Sequence, residues 1–145
     1  MVRRVEAAQA TLDRFRDRPL RLGRDDCVRM VAHHLRKLGY RVKLPAAGSY
    51  STVRAAVKAL RARGHASLGD ALDALGLDRI APAAAVAGDI LMLPGADQLG
   101  ALTIALGNGR VVGYHEDAPG AVVLQPLDYD AAWRVSPRPT RAKAA

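Results

Sequence analysis

The chain has 145 residues, half of them hydrophobic, a length that suits one domain with a sizeable core. Its single cysteine excludes an internal disulfide and any metal site built from several cysteines. With 22 lysines and arginines against 14 acidic residues, the net charge is +8, which favours anionic partners such as nucleic acid, cell-wall polymers or an acidic protein surface.

The first predicted helix covers residues 3–16, where apolar residues recur at helical spacing. We expect Arg4, Glu6 and Arg16 to lie off its buried face. The residues expected on that face are Val5, Ala8, Leu12 and Phe15. Met1 leads into this polar amphipathic pattern rather than into an apolar run, so we expect neither a signal peptide nor a membrane-spanning segment.

The only cysteine, Cys27, begins the second predicted helix, which ends near Leu38. Asp25 or Asp26 can cap this helix, because a carboxylate accepts hydrogen bonds from the unpaired N–H groups of the first turn. One face of the helix carries Cys27, Val31, His34, Leu35 and Leu38. A thiol at the positive end of the helix dipole is favoured as the thiolate, the form that acts as a nucleophile and metal ligand. Cys27 is therefore either a reactive thiol or a small buried hydrophobe.

The segment after this helix predicts two further helices. Residues 40–44 alternate in polarity and predict either a short edge strand or an extended connector. We expect Ser51 to cap a third helix that ends near Arg63, Ser67 to cap a short fourth helix, and residues 77–87 to form a connector. The third helix carries a basic surface composed of Arg54, Lys58 and Arg61. This basic surface is either a solvated helix face or a binding surface for phosphate or polymer.

The second half of the chain changes to strand patterns, with a strong hairpin turn at Asn108-Gly109. Strands are predicted over residues 88–95, 100–106, 110–115 and 121–125. Asp128 is expected to cap a final helical turn through Ala132, and residues 136–145 to form a disordered basic tail. Helices followed by an antiparallel meander predict an α+β domain.

Three segments, in this order, resemble the NlpC family of papain-like cysteine peptidases. Asp26-Cys27 at the start of a long helix resembles the nucleophile motif of the family, and Gly88-Asp89-Ile90-Leu91-Met92 resembles one of its strands. Leu106-Gly107-Asn108-Gly109 resembles the turn of its histidine hairpin. The resemblance implies that residues 1–135 form a single papain-like domain, in which the N-terminal helices pack on a C-terminal antiparallel sheet or half-barrel. It also implies cleavage of bacterial cell-wall peptides or related amide bonds.

A subgroup of small uncharacterised phage and prophage proteins shares more specific features with this chain. These features are the spacing Gly23-x-x-Asp26-Cys27, the residue Tyr50, and the terminal string Ala132-Trp133-Arg134-Val135. Members of this subgroup are expected in tail-assembly gene clusters. The resemblance therefore implies a protein of the virion, or of the host cytoplasm during assembly, whose partners are tail-hub and tail-tip proteins.

The family chemistry needs a cysteine, a histidine that moves the proton, and a polar residue that orients the histidine. By resemblance, Cys27 is the nucleophile and Asp26 gives polar support, but the histidine position is Ala101 and the third polar position falls near Gly113. His115 is two residues beyond Gly113, on the same face of a regular strand, and it is a candidate base if that face looks toward Cys27.

Other roles for these residues are less well supported by the sequence. His34 shares the helix face of Cys27 but lies roughly 10 Å further along the axis, too far for direct proton transfer. Cys27, His34 and His115 could together bind zinc, but their spacing matches no local zinc signature. We expect no metal and no cofactor.

Three functions follow from these observations. The first is a structural or accessory protein of a phage tail tip with a catalytically degenerate peptidase fold. The second is an active cysteine hydrolase that cleaves peptidoglycan peptides during DNA delivery, with Cys27 as nucleophile and His115 as base. The third is nucleic-acid binding through the basic surface and the tail.

Overall fold

The computed structural model describes residues 2–94, 100–114 and 120–139. Within them, four N-terminal helices precede six strands that form one antiparallel sheet, which confirms the predicted α+β class. The helices are α1 (Val2–Phe15), α2 (Cys27–Lys37), α3 (Val53–Ala62) and α4 (Leu68–Ala74). The strands are β1 (Asp78–Ile80), β2 (Ile90–Leu93), β3 (Ala101–Gly107), β4 (Arg110–Tyr114), β5 (Ala121–Leu124) and β6 (Ala131–Arg134).

The strand order in the sheet is β1-β6-β2-β3-β4-β5. Strands β2 to β5 form a meander, and β6 returns to pair with both β1 and β2. The turn between β3 and β4 contains Asn108 and Gly109 at φ values of 56° and 75°. Because these left-handed conformations are the ones that a tight hairpin turn requires, the predicted hairpin is confirmed.

The main core lies between α1 and α2 and one face of the sheet. Residues alternate along a strand, so Leu102 and Ile104 of β3 and Val112 of β4 point to this core, together with Trp133. The opposite face carries a smaller cluster of Leu91, Ala105, Val111 and Ala132. The helix-facing side of the sheet is thus the side on which Cys27 and its helix lie.

A fully buried carboxylate, that of Asp89, joins the two ends of the domain. One oxygen accepts hydrogen bonds from the Arg4 guanidinium and, at 2.9 Å, from the Val135 N–H. The other accepts from the Val86 N–H and from Nε of Arg134, both at 2.9 Å. A buried charge requires such compensation, because burial removes the hydration that stabilises it in water. Asp89 therefore ties α1 to the start of β2 and the end of β6.

This ion pair corrects the prediction for α1. Arg4, expected off the buried face, is 7% exposed, whereas Val5, expected on it, is 48% exposed. The prediction used only the periodicity of apolar side chains. It therefore missed Arg4, which is buried because Asp89, 85 positions away in the chain, neutralises its charge.

Three element predictions are also corrected. Thr52, not Ser51, caps α3, since its hydroxyl oxygen accepts a hydrogen bond from the Ala55 N–H at 3.1 Å. Of the two alternatives predicted for residues 40–44, the structure has the extended connector and not the strand, so this prediction needs no correction. The expected connector contains β1 and a 3-10 turn at Pro82–Ala84, and the expected helical turn after Asp128 is replaced by β6, which two neighbouring strands stabilise.

The first residues of the predicted tail are held against the domain. The Arg138 N–H donates to the Leu38 carbonyl oxygen at 2.7 Å, and its guanidinium lies 4.2 Å from the ring centroid of Tyr40. Tyr40 in turn donates its hydroxyl hydrogen to the Ser136 carbonyl oxygen at 2.8 Å. The disorder predicted from residue 136 is therefore wrong for residues 136–139, and residues 140–145 lie outside the described part.

The substitution Asp89→Asn should strongly destabilise the domain. It leaves Arg4 and Arg134 without a buried counter-charge, and breaking a buried ion pair costs roughly 3–5 kcal/mol. Urea unfolding followed by circular dichroism measures this loss. Asp78→Asn, at an exposed position in β1, is the matched control and should change the free energy of unfolding by less than about 0.5 kcal/mol. Equal changes in the free energy of unfolding for both substitutions would show that Asp89 does not hold the two ends of the domain together.

Candidate functional site

The thiol of Cys27 is placed by the cap of its helix. Cys27 is half-buried and is the first residue of α2. Asp26 precedes it with extended backbone, and one carboxylate oxygen accepts a hydrogen bond from the Arg29 N–H at 2.8 Å. Of the two caps considered, Asp26 is thus the correct one. Cys27 lies in the first turn, where the helix dipole favours a negative charge.

The second oxygen of Asp26 organises the loop before the helix. It accepts hydrogen bonds from the Gly23 N–H at 2.8 Å and from the Tyr50 hydroxyl at 3.0 Å, so this buried carboxylate has three donors. Burial, and after it the negative charge of Asp26, raises the pKa of Tyr50 to about 12, which keeps Tyr50 a donor. Asp26 thus supports the position of Cys27.

Gly23 and Tyr50 form one structural unit with this cap. Gly23 has a φ of 82°, and a Cβ atom there would lie 2.0 Å from the Tyr50 carbonyl oxygen. Only glycine tolerates both the left-handed backbone and this close approach. The spacing Gly23-x-x-Asp26-Cys27 and the distant Tyr50 therefore fix the loop that leads to the thiol.

Tyr114 is a polar residue near the thiol that the sequence analysis did not identify as functional. It ends β4 on the helix-facing side, and its hydroxyl oxygen is buried without a hydrogen-bond partner among the described residues. Burial raises the pKa of Tyr114, and the negative charges of Asp25, Asp26 and Cys27 raise it further. Tyr114 is therefore a protonated donor close to Cys27. Strand alternation, continued from the apolar Val112, could have identified it.

The two strand positions to which the resemblance to NlpC peptidases assigns the histidine and its orienting group carry no proton acceptor. Ala101 is the first residue of β3 and pairs with Leu93 of β2. Gly113 lies on the face opposite to Tyr114, where an added Cβ atom would meet Thr103 Cγ2 at 2.8 Å. Nothing larger than glycine fits there without displacement of Thr103, so this position cannot supply an orienting polar group.

Two of the histidines serve the fold. Nδ1 of His33 lies 3.0 Å from the Thr11 hydroxyl oxygen, and its ring packs edge-on against Phe15. Burial, followed by the positive charges of Arg14 and Lys37, lowers the pKa of His33 to about 4. His34 is fully buried, donates Nε2–H to the Gly88 carbonyl oxygen at 2.7 Å, and has a pKa lowered mainly by burial.

The two remaining histidines are His65 and His115. His65, in the loop after α3, lines the same cavity as Cys27. His115, the candidate base, lies outside the described residues, so its role stays a prediction. Among the described residues there is no group of three or more His, Cys, Asp or Glu side chains that could hold a metal ion.

A cavity of about 180 Å³, hereafter the aliphatic cavity, lies beside α2. Its walls come from one face of α2, from α3 and α4, from the connector at residues 42–45, and from Leu102 of β3. Cys27 belongs to the wall, so the thiol lies at an apolar space of molecular size. The arrangement combines a thiol at a helix N-terminus, a tyrosine donor and a space for an apolar group.

The predicted basic surface also exists. Arg54, Lys58 and Arg61 lie around a shallow depression on α3 with Val53 and Val57. In the part of the chain that the structure describes, none of the three cations has an acidic partner. This free positive charge agrees with contact to an anionic partner, and binding of nucleic acid stays a prediction. No helix within residues 2–94, 100–114 or 120–139 is long and apolar enough to cross a membrane.

Comparison with known proteins gives one result. The family model described as Domain of unknown function (DUF6950) matches residues 3–135, and the chain therefore belongs to that family. The match covers α1 through β6 and ends directly after Arg134 of the last strand. No curated protein matches the chain.

Removal of the Asp26 carboxylate should lower the free energy of unfolding by more than removal of an ordinary helix cap does. Asp26→Ala removes the cap of α2 and leaves the buried donors of Gly23 and Tyr50 without an acceptor, for an expected loss of roughly 2–4 kcal/mol. The control is Ser67→Ala, which removes only the bond from the Asp70 N–H and should cost about 1 kcal/mol. Chemical denaturation compares the two variants. Equal losses of unfolding free energy in the two variants would contradict a stabilising role for the hydrogen bonds from Gly23 and Tyr50.

Proposed function

We propose that this member of the DUF6950 family is a phage tail-tip or tail-assembly protein with an NlpC-like, papain-type fold that has lost peptidase chemistry. The order of its parts supports this proposal. A cysteine begins a helix that packs on an antiparallel sheet, and the strand pair β3 and β4 follows later in the chain, in the order that the resemblance implies for a histidine hairpin.

The proposed loss of peptidase activity rests on which residues occupy the positions expected for the catalytic partners of Cys27. Ala101 has no ionisable group, and Gly113 faces Thr103 on the other side of the sheet. His33 and His34 are engaged with Thr11 and with the Gly88 carbonyl oxygen. The two positions to which the resemblance assigns the base and the orienting group therefore supply neither, and the two histidines of α2 are occupied by the fold.

The proposed place in a phage tail rests on the subgroup resemblance. The residues that carry that resemblance have structural contacts in this chain. Trp133 Nε1 donates to Asp73 at 2.9 Å, and Arg134 Nε donates to Asp89 at 2.9 Å. A motif whose residues hold the fold together suits a protein that acts as a scaffold. The basic surface on α3 offers such a scaffold a contact area for an acidic tail component.

A second candidate, an active cysteine hydrolase that cleaves peptidoglycan peptides, is favoured by one arrangement. Cys27 is half-buried rather than enclosed, and the protonated hydroxyl of Tyr114 is available as a donor to a developing oxyanion. In this reading His115 is the base, and Cys27 forms an acyl-enzyme intermediate that water hydrolyses. The assignment of His115 to the face of Gly113 does not support this role, because Gly113 faces away from α2.

Digestion of purified peptidoglycan separates the two candidates. The wild-type protein and Cys27→Ala are each incubated with it, and released peptides are quantified by mass spectrometry. We expect no release that depends on Cys27, because Ala101 and Gly113 supply no proton acceptor at the positions that the resemblance assigns to the catalytic partners. Release by the wild type that is lost in Cys27→Ala would establish the hydrolase instead, and His115→Ala would then test the base.

The association with a tail is tested separately. Co-expression with tail-hub and tail-tip components of a phage, followed by affinity purification and size-exclusion chromatography, should give a stable complex. Arg54→Glu together with Lys58→Glu should weaken the complex at least tenfold if the basic surface is the contact, because like charges would then face each other. A protein that stays monomeric beside these components would contradict the proposal.

A further inference from the structure

The aliphatic cavity is a space that the fold could have filled. Four of the side chains that line it are alanines, namely Ala32 on α2, Ala56 and Ala59 on α3, and Ala71 on α4. Protein interiors are normally packed to the density of organic crystals, and unfilled volume lowers stability. A leucine at any of these positions would occupy part of the space. An apolar cavity retained between three helices therefore suggests that another molecule fills it.

The volume and shape of the cavity limit that molecule. A volume of about 180 Å³ is slightly larger than the roughly 150 Å³ of an apolar cavity that takes up benzene. The wall on α2 extends from Cys27 to Leu35, and eight residues of helix correspond to about 12 Å. A space of this volume and length suits an extended chain of about six to eight carbons better than a compact ring.

The charges on the rim limit the head group. Lys43 and Arg63 line the cavity and are exposed, so they mark a place where it meets solvent. Nη1 of Arg63 donates to the Lys43 carbonyl oxygen at 2.9 Å, which holds the guanidinium there. The one acidic residue on the wall is Asp26, whose carboxylate is already satisfied by three donors. The rim therefore favours an anion.

We propose that the aliphatic cavity binds an aliphatic carboxylate of about six to eight carbons, with its chain along α2 and its carboxylate at Lys43 and Arg63. The chain would replace the missing packing between α2, α3 and α4, and Arg63 would pair with the carboxylate. Because Cys27 belongs to the wall, the bound chain would cover the thiol. This site is independent of the proposed function, since it needs neither a reaction at Cys27 nor a tail partner.

Titration of the full chain with octanoate, followed by isothermal titration calorimetry, tests the site. We expect a dissociation constant of order 0.1–1 mM for a ligand of this size. Ala71→Leu, which fills the cavity, should weaken binding at least tenfold. Ala74→Leu, on the exposed side of the same helix, should leave it within twofold. Should Ala71→Leu fail to fold, Ala59→Leu and its exposed control Ala62→Leu repeat the comparison on α3.

The head group is tested with matched ligands and variants. Octylammonium should bind at least tenfold more weakly than octanoate, and Arg63→Gln should weaken octanoate about threefold to tenfold while it leaves 1-octanol unchanged. Arg61→Gln, on the basic surface of α3, is the control. Octanoate should also slow the alkylation of Cys27 by iodoacetamide.

Three results would overturn the proposal. They are the absence of octanoate binding, equal binding by Ala71→Leu and the wild type, and equal binding of octylammonium and octanoate. Sedimentation with phosphatidylglycerol vesicles in the absence of octanoate binding would point to a membrane as the source of the chain and would also contradict a site for a free carboxylate.

Discussion

The buried carboxylate of Asp89 is the interaction on which the rest of the domain depends. A charge without solvent is stable only with several donors, and here the donors come from the first helix, the loop before β2 and the last strand. Arg4 and Arg134 could not be buried or half-buried at these places without it. The same contacts hold β6 beside β2. The C-terminal strand therefore lies within the sheet, between β1 and β2, and the N-terminal helices cover one face of that sheet.

Asp26 is a second buried carboxylate that holds nearby parts of the chain together, in this case the loop before α2. Together, Asp26 and Asp89 indicate that the strings that resemble the NlpC family have a structural role in this chain. Both aspartates belong to strings that resemble an enzyme family, yet both are buried and satisfied by donors of the fold. Neither has an oxygen free for proton transfer. Tyr114, whose buried hydroxyl has no hydrogen-bond partner among the described residues, belongs to none of these strings and was missed by the sequence analysis.

Local features of the fold could be predicted from the sequence, and features that depend on distant partners could not. The Asp26 cap and the turn at Asn108-Gly109 follow from residues close together in the chain, and both are correct. The burial of Arg4 depends on Asp89, and the strand that contains Trp133 depends on pairing with β1 and β2. Local patterns carry no information on such partners. Periodicity therefore placed Arg4 off the buried face, and the capping residue Asp128 predicted a helical turn where β6 forms.

The groups needed for peptide hydrolysis and the groups that form the aliphatic cavity lie on different elements. The positions that the resemblance to NlpC peptidases assigns to the base and its orienting partner are Ala101 and Gly113, on β3 and β4. The cavity walls, in contrast, come mainly from α2, α3 and α4. The residues at positions 101 and 113 therefore do not determine the helical walls, because neither of them lines the cavity. Cys27 is the point at which the two arrangements meet. As a wall residue, Cys27 also fills space as a small apolar side chain, which is a role that needs no base.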